Sequence, residues 1–326
     1  MWEANPPSVA KGDLRKLARP NWSVPLSLLA GDWLIIGMAV ALSTYTDNFW
    51  VYIFCAGVVG SRQHALFVLV HEGVHKHLAR SKRVNDWISN LFAAYPILFD
   101  TEAYRENHLR HHEHLNTDQD PDWTRKKGHS EWKFPQKTRN LVLFLPYFIC
   151  IRGALEWLQI VLAFSGIFVN HIAFPRMRKR LAVKIVYYTC VGVTITYLNL
   201  WPAMLKYWLI PMFFIFPLLQ RIRSVAEHFG LPWAHDLNST RDVVASGLEL
   251  FFLAPHAVNY HLTHHLYPAI PCYHLKETHR LLMQDQVFQQ NAHINGSYLL
   301  GSQNSVLGDI IRPAATSSHD PERASA

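Results

Sequence analysis

Residues 49–75 of the chain read FWVYIFCAGVVGSRQHALFVLVHEGVH, an apolar run that ends in two histidines. The part from 49 to 70 is long enough to cross the hydrocarbon layer of a membrane, which takes about 20 mostly apolar residues. His71, Glu72 and His75 fit the H-E-x-x-H pattern of zinc proteases, in which two histidines one helical turn apart bind the metal and the glutamate is the general base. The pattern is short, so the rest of the chain has to decide its chemistry.

The composition of the whole chain favours a membrane protein with a sizeable water-facing part. Of its 326 residues, 50% are apolar and 17% are charged, against about 25% charged in an ordinary soluble domain. The net charge of +7 is concentrated at residues 11–19, 76–83 and 176–184, beside apolar runs. This arrangement indicates cytoplasmic membrane anchors rather than a nucleic-acid surface. The four cysteines form no C-x-x-C pair, so neither a disulfide framework nor a structural zinc site is implied.

Four runs are predicted to span the membrane, at residues 24–45, 49–70, 181–200 and 201–219. Short turns without Lys or Arg join the first run to the second and the third to the fourth, so the runs form two helical hairpins. Basic residues lie at the other ends, which places both termini and the central loop in the cytoplasm. Residues 141–174 are predicted to form interfacial helices, with further membrane crossings as the alternative.

The predicted fold is therefore an all-α integral membrane protein, in which four transmembrane helices in two hairpins are capped by a cytoplasmic helical domain that holds a di-metal site. Residues 1–23 form a cytoplasmic N-terminal segment and residues 24–285 the membrane domain. Residues 286–326 form a C-terminal segment that is predicted to be largely disordered after residue 312. A multi-pass location in a bacterial inner membrane is the expected setting.

The 20 histidines of the chain concentrate in clusters outside the opening motif. One cluster is HLRHH at residues 108–112, another is HLTHH at residues 261–265, and His228 lies between them in AEHFG. Spacings of three and four place the histidines of each cluster on one face of a helix, and imidazole is a ligand for iron, zinc and copper. The predicted topology brings all four elements to the cytoplasmic face. They are therefore predicted to share a site for more than one metal ion.

The order of these motifs resembles that of the integral-membrane fatty acid desaturases and related di-iron oxygenases, over roughly residues 30–285. The likeness rests on H-x-x-x-H in RQHALFVLVHEGVH, on the two H-x-x-H-H clusters, and on the flanking TDQDPDW and NYHLTHHLYPAIP. The resemblance implies two iron ions, with O2 as co-substrate. The ligands that it implies are His71 and His75 (first box), His108, His111 and His112 (second box), His228, and His261, His264 and His265 (third box).

Carboxylates near the boxes are predicted to accept the other ring N–H of a ligand histidine and to fix its orientation, with solvated loop charges as the alternative. The residues placed for this role are Glu72, Glu106, Asp118, Asp120, Asp122 and Glu227. A family member with a water-linked asparagine one helical turn before its intervening histidine would have that asparagine at position 224. This chain has Ser224 there and so departs from the family pattern, and Asn259 is the candidate substitute. His64, His77 and His114 are predicted to orient loops or to face water.

Other protein classes explain less of the sequence. A membrane zinc protease would need a third ligand, often in an Asp-Gly motif, and no L-D-G occurs here. A b-type haem protein would pair histidines on facing spans, and a metal transporter would place its ligands in the middle of a span. Desaturation, hydroxylation, ketolation and oxidative decarboxylation to a terminal alkene all stay open, because the same boxes serve each of them.

The implied partners follow from the same resemblance and from the apolar composition. The substrate is expected to be a long-chain acyl or other lipid, because the site lies against the membrane. No iron–sulfur motif and no HPGG of a haem domain occurs, so electrons are expected from a separate ferredoxin, rubredoxin or cytochrome b5-like donor with its reductase. Basic residues that are candidates for docking the donor, or for anchoring to lipid, are Lys126, Lys127, Arg178 and Lys179.

Overall fold

The structure is a computed structural model that describes residue 7 and residues 9–140, 152–164, 175–233, 235–299 and 304–311, without the side chains of 163–164 and 175–180. The described chain is mostly helical, as predicted, and its strands are a pair of two-residue segments in parallel register.

The helices in the first half are α1 (Lys11–Leu17), α2 (Ser23–Thr46), α3 (Phe49–Val74), α4 (Lys82–Ser89), α5 (Thr101–Glu113) and α6 (Pro121–Thr124). Those in the second half are α7 (Gly153–Phe164), α8 (Pro175–Tyr197), α9 (Trp201–Met204), α10 (Phe216–His228), α11 (Leu248–Leu253), α12 (His261–Leu266), α13 (Cys272–Leu282), α14 (Gln286–Asn291) and α15 (Val306–Ile311). The strands are β1 (Asp242–Val243) and β2 (Ile294–Asn295). Single π-helical turns lie at Asn90–Ala94, Leu205–Leu209 and Pro211–Ile215, and 3-10 turns at Tyr95–Ile97, Ser130–Trp132, Asp236–Asn238 and Pro255–Ala257.

The chain divides into two compact units. The first, which we call the span unit, consists of residues 25–105 and 146–219. The second consists of residues 1–24, 106–145 and 220–326 and is called the terminal unit because it includes both ends of the chain. Both α5 and α10 run across the boundary between the units along the sequence, and the larger part of each helix belongs to the terminal unit.

Three described helical segments are long and apolar enough to cross a membrane: Ser23–Thr46, Phe49–Val74 and Trp201–His228. They correspond to the predicted spans at 24–45, 49–70 and 201–219. The third continues beyond the predicted end, because α9, two π-helical turns and α10 follow one another without a break up to His228. The prediction of a membrane protein is confirmed in this general form.

The remaining predicted span, at residues 181–200, is not among these helices. α8 covers most of it, but its apolar part, Leu181–Tyr197, is shorter than 18 residues. At 1.5 Å per residue such a stretch reaches about 26 Å, less than the roughly 30 Å of a hydrocarbon core. Lys184 lies within it, and its Nζ is 2.7 Å from a carboxylate oxygen of Asp100, with both side chains buried. The arrangement of four spans in two hairpins is therefore not confirmed.

The stretch predicted to be interfacial, residues 141–174, is described only in part. Within it, α7 has 12 residues, which is too few to cross a membrane. Trp157 on this helix is buried against Phe99 and Phe216, while Leu155 and Leu158 are exposed. Residues 141–151 and 165–174 lie outside the described residues, and so does the tail after residue 311 in which disorder is predicted.

α3 is the central helix of the span unit, since nearly every side chain from residue 55 to residue 74 is buried. Gly60 lets it approach the π-helical turn Pro211–Ile215 closely, because a Cβ at this position would lie 2.7 Å from Cβ of Ile215. In contrast, α2 exposes Leu34 and Met38 on its outer side, as a lipid-facing helix does. α3, which carries the first box, is therefore packed against neighbouring parts of the span unit over most of its surface.

The terminal unit has its own apolar core around α12. The buried residues of this core are Val9, Leu237, Leu262, Leu282 and Phe288. Leu262 lies within the third box, so the core fixes the side of α12 that the box histidines do not use. β1 and β2 pair with Asp242 opposite Ile294 and Val243 opposite Asn295, and this short ladder lies beside α12.

Candidate metal centre

Seven of the nine predicted ligand histidines belong to the terminal unit, and the remaining two belong to the span unit. The second box lies in the last two turns of α5, His228 is the last residue of α10, and the third box forms most of α12. His71 lies in the last turn of α3 and His75 follows that helix directly. Each box is therefore at or near a helix end, where a side chain has room to reach a metal ion.

Four histidines of the terminal unit form one group: His111, His228, His261 and His265. One ring nitrogen from each lies within 4.8 Å of the others. The Nε2 atom of His261 is 3.0 Å from Nε2 of His228 and 3.0 Å from Nε2 of His265. Two nitrogens bound at about 2.1 Å to one metal, at right angles, lie roughly 3.0 Å apart. The group thus has the spacing of a metal-ligand set.

A second convergence in the same unit involves His108, His112 and His264. Nε2 of His112 is 2.9 Å from Nε2 of His108 and 3.1 Å from Nε2 of His264. His108 and His112 are four residues apart on α5, whereas His264 comes from α12. The second and third boxes therefore each contribute to both groups, as motifs that bind two neighbouring metal ions would.

Carboxylate oxygens lie beside the Nδ1 atom of two histidines in the four-histidine group. An oxygen of Asp120 is 2.9 Å from Nδ1 of His111, and an oxygen of Glu227 is 3.4 Å from Nδ1 of His261. Asp120 is almost fully buried and also caps α6. A carboxylate on Nδ1 fixes the ring and leaves Nε2 available for a metal. Of these two predicted carboxylates, Asp120 forms a hydrogen bond with a box histidine and Glu227 lies next to one.

Burial keeps one of these imidazoles, that of His261, in the neutral form that binds metals. Burial holds the pKa of His261 well below its usual range, and the neighbouring His265 and His228 lower it further. A neutral imidazole has a lone pair for a metal, whereas a protonated ring has none. Buried, uncharged nitrogen donors without a sulfur ligand fit iron, zinc or copper.

In the span unit, the first box has a corresponding carboxylate. The two oxygens of Glu72 face His71 and His77, at 3.4 Å from Nδ1 of the former and 3.0 Å from Nδ1 of the latter. The rings of His71 and His75 are 4.8 Å apart between centroids. Glu72 therefore lies beside a box histidine and forms a hydrogen bond with His77, which is buried against this glutamate rather than facing water.

Other predicted residues lie elsewhere. Glu106 is exposed, and so is Asp118, which pairs with Lys127 at 2.8 Å. Asp122 pairs with Arg125 and accepts a hydrogen bond from Asn107 at 3.2 Å. The structure brings none of these three carboxylates within hydrogen-bonding distance of a described box histidine, so the role predicted for them is not supported.

Position 224, where the family pattern would place an asparagine, is occupied by a serine that binds a lysine. Ser224 accepts a hydrogen bond from the ammonium group of Lys126, which lies 5.1 Å above the ring of Trp132. Asn259, the candidate substitute, donates its amide to the carbonyl of Val243 at 2.8 Å and so binds β1 instead of the site. Lys126 is thus engaged inside the unit, which corrects its interpretation as a docking residue.

Sequence reasoning missed several residues that support the boxes. In the span unit, Asn85 and Arg105 each donate to the carbonyl of Gly73, at 2.8 Å in both cases, between the two histidines of the first box. In the terminal unit, Asp242 accepts from the backbone N–H of Thr263 at 3.0 Å and from Nδ1 of His279 at 2.7 Å. No motif marks these residues, and Asn85, Arg105 and Asp242 lie 12, 32 and 21 residues along the chain from the backbone groups that they bind.

Comparison with known proteins bears on this histidine arrangement. A profile described as fatty acid desaturase matches residues 47–297, well over half of the chain. This chain belongs to the fatty acid desaturase family. The matched range contains all three boxes and His228, so the family assignment and the histidine groups concern the same part of the desaturase.

Similar desaturases come from bacteria and plants. The dihydrorhizobitoxine desaturase of Bradyrhizobium elkanii is 26% identical over 296 residues, covering 87% of this chain and 83% of the relative. An sn-1 acyl-lipid omega-3 desaturase (ferredoxin) of Nostoc sp. is 25% identical, covering 79% and 74%. The acyl-lipid omega-3 desaturase (cytochrome b5) of Arabidopsis thaliana is 23% identical, covering 77% and 68%. The chain is therefore an oxidoreductase of the desaturase type.

Proposed function

We propose that this protein is a membrane-bound, O2-dependent di-iron fatty acyl desaturase that acts on an unactivated C–H bond of a long-chain lipid. The observation that carries the proposal is the convergence of box histidines in the terminal unit, with carboxylates on the outer nitrogens of His111 and His261. Membership of the desaturase family supports iron among the metals that such ligands accept.

We assign the nine ligands to two ions. His111, His228, His261 and His265 bind one ion. His108, His112 and His264 bind the other, and in the proposal His71 and His75 of the first box complete it. The assignment of the first box rests on its family motif, and the carboxylate of Glu72 lies 3.4 Å from Nδ1 of His71.

The chain's own residues prepare the site for difficult oxidation chemistry. Iron, when bound, supplies the reduction of O2 that yields an oxidant strong enough to remove hydrogen from an unactivated C–H bond. Burial keeps His261 neutral and therefore able to bind a metal. Asp120 and Glu227 fix the direction of two rings, so the ligand set changes little as the metal changes charge.

The substrate and the electron donor are proposed in general terms. The relatives from Nostoc and Arabidopsis carry acyl-lipid in their names, which supports a long-chain acyl lipid as substrate. The same names specify ferredoxin in one case and cytochrome b5 in the other, which supports a separate electron carrier. Hydroxylation or oxidative decarboxylation on the same histidine scaffold is the alternative that product analysis distinguishes.

The deciding experiment combines metal analysis with lipid analysis. We expect the purified protein to hold about two irons per chain and little zinc, and cells that express it to accumulate unsaturated acyl chains. His228→Ala should lose iron and product, whereas His129→Ala, outside the boxes, should keep both. If the protein instead holds stoichiometric zinc and cleaves peptide bonds, HEGVH is the motif of a zinc protease and the proposal is wrong. Hydroxylated or terminal-alkene products would replace desaturation by the alternative reaction.

A further inference from the structure

The turn that follows His228 is held from outside the histidine motifs. α10 ends at His228, and Phe229 and Gly230 then reverse the chain, with Gly230 at a positive φ of 65°. Since His228 is the last helical residue, the position of this turn decides where its ring points. His228 Nε2 lies 3.0 Å from Nε2 of His261, so a small displacement would separate them.

Arg241 connects this turn to the third box. Its side chain is fully buried, and one Nη donates to the carbonyl of Phe229, the residue after His228. The carbonyl of Arg241 accepts from the backbone N–H of Leu262, the residue after His261, at 3.1 Å. One residue therefore binds the backbone directly after two proposed ligands of the same ion.

The buried guanidinium is balanced by the C-terminal helix α15. The other Nη of Arg241 lies 2.9 Å from an oxygen of Asp309, and that oxygen also accepts from Nε2 of His293 at 2.7 Å and from Asn295 at 3.0 Å. Burial raises the pKa of Asp309, but the bond from His293 and the charge of Arg241 outweigh it and keep the carboxyl ionised. Burial lowers the pKa of Arg241 to about 10, which leaves it protonated near neutral pH.

α15 also packs directly on the turn. A Cβ at Gly230 would lie 3.0 Å from Cγ2 of Ile310 and 3.3 Å from the carbonyl oxygen of Asp309. The carbonyl of Ile310 accepts from the backbone N–H of Gln136 at 2.7 Å. α15 is thus attached through backbone contacts of Asp309 and Ile310 as well as through the carboxylate of Asp309.

We propose that α15 is a positioning element of the metal centre: Asp309, acting through Arg241, fixes the turn after His228 and thereby sets the distance between His228 and the third box. The inference rests on the proposed function, because it concerns one of the two ions. α15 lies outside the range that the family profile matches, which ends at residue 297, whereas α15 begins at Val306. Asp309 and Arg241 are positioning residues that do not touch the metal.

The test measures metal binding to the full chain, with ferrous iron itself as the probe. Metal-free protein is titrated with ferrous iron under anaerobic conditions, and the apparent affinity of each ion is determined together with the thermal unfolding temperature. In the variant Asp309→Asn the charge opposite Arg241 is lost while the shape is kept. Arg241→Lys keeps the charge but replaces the two Nη donors, which bind Phe229 and Asp309 separately, by a single nitrogen.

Asp285→Asn is the matched control. Asp285 caps α14 in the same unit, where it accepts from the backbone N–H groups of Val287 and Phe288 at 2.8 and 3.1 Å. It belongs to an element that carries no proposed ligand. Any general loss of stability in this unit should therefore be reproduced by the control without an effect on iron.

We expect the wild type and Asp285→Asn to bind two ions, and Asp309→Asn and Arg241→Lys to bind one of them about 10- to 100-fold more weakly, with the other unchanged. Equal affinities in Asp309→Asn and the wild type would overturn the inference and leave the proposed function intact. Weakening of both ions in proportion to a lower unfolding temperature would also overturn it, since that pattern indicates a merely structural role. A wild type that binds no iron would overturn the proposed function and the inference together.

Discussion

Single residues in this protein act mainly by holding a ring or a backbone group beside a proposed ligand. Asp120 shows how specific such contacts are, because its two oxygens have different tasks. One oxygen caps α6 through the backbone N–H groups of Asp122 and Trp123, at 2.8 and 3.3 Å. The other accepts from Nδ1 of His111 at 2.9 Å and from the backbone of Asn116 at 3.0 Å. The cap and the ligand orientation can therefore be separated by mutation.

The substitution Asp120→Asn should damage the metal centre more than the fold. An asparagine can keep its oxygen at the cap, but its NH2 group would then face the N–H groups of His111 and Asn116. We expect about 10- to 100-fold weaker iron binding, measured as iron retained after dialysis against a fixed free concentration. Asp118→Asn, which removes an exposed carboxylate paired with Lys127, is the control and should retain iron as the wild type does. Equal retention in both variants would contradict the role of Asp120.

Gly73, between the histidines of the first box, makes a close packing contact. A Cβ at this position would lie 2.7 Å from Cβ of Ser89, which real structures do not tolerate. Gly73→Ala should therefore displace α3 from α4, lower the unfolding temperature and reduce bound iron. Gly31→Ala, in open space on α2, is the control and should change neither. The double variant Gly73→Ala/Ser89→Gly removes the clashing atom and should recover part of the loss; no recovery would show that packing is not the cause.

At the scale of elements, a buried ion pair joins the first two membrane-length helices. Nη1 of Arg62 on α3 lies 3.1 Å from an oxygen of Asp32 on α2, with both side chains almost fully buried. Charges at such positions are costly unless they are paired, so the pair fixes which faces of α2 and α3 meet. Gly60 on the opposite side of α3 then determines how close the π-helical turn Pro211–Ile215 can come.

Removing one partner of this pair should destabilise the span unit strongly. Asp32→Leu leaves the buried guanidinium without its counter-charge, and breaking such a pair costs about 3–5 kcal/mol. The double variant Asp32→Leu/Arg62→Met leaves no buried charge and should be more stable than Asp32→Leu alone. The measurement is thermal unfolding in detergent for the wild type, both single variants and the double variant. If the unfolding temperature of the double variant falls by the sum of the two single-variant decreases, the charges do not interact.

For the whole molecule, we propose that both termini and the metal centre lie on the cytoplasmic side. The proposal rests on basic residues at residues 11–19 before the first span and on their absence from the turn between α2 and α3. The third membrane-length segment, Trp201–His228, ends at a proposed ligand. The end of this segment at His228 and the three boxes must therefore lie on the same side of the membrane for the proposed site to form.

Topology tags test this arrangement directly. Tags at residue 1, at Gly128 and at the C-terminus should report the cytoplasm, and a tag beside Asp47 should report the opposite side. The measurement is the activity of a compartment-specific reporter fused at each position. Tagged proteins that have lost their bound iron are left out as misfolded. A reporter at Gly128 on the outer side would separate the second box from the first and would contradict a shared site.

The sequence by itself determined that this is a membrane desaturase and which histidines to consider. The reason is that a membrane span and an i, i+3, i+4 ligand face are both local patterns, written within about 20 residues. Asp120 and Glu227 were found in the same way, because each lies close in sequence to the second box or to His228. Such patterns do not show which carboxylates reach a ring, and so Glu106, Asp118 and Asp122 were grouped with them.

Only the tertiary structure decided the contacts between distant parts of the chain. Asp309 and Arg241 are 68 residues apart in the sequence, and Lys184 and Asp100 are 84 residues apart (184 − 100). The first pair attaches the C-terminal helix to the turn after His228, and the second places a buried charge inside a predicted span. Neither pairing has a sequence period, because side chains that meet across a fold are selected by packing and by the need to balance buried charge, and not by their spacing along the chain.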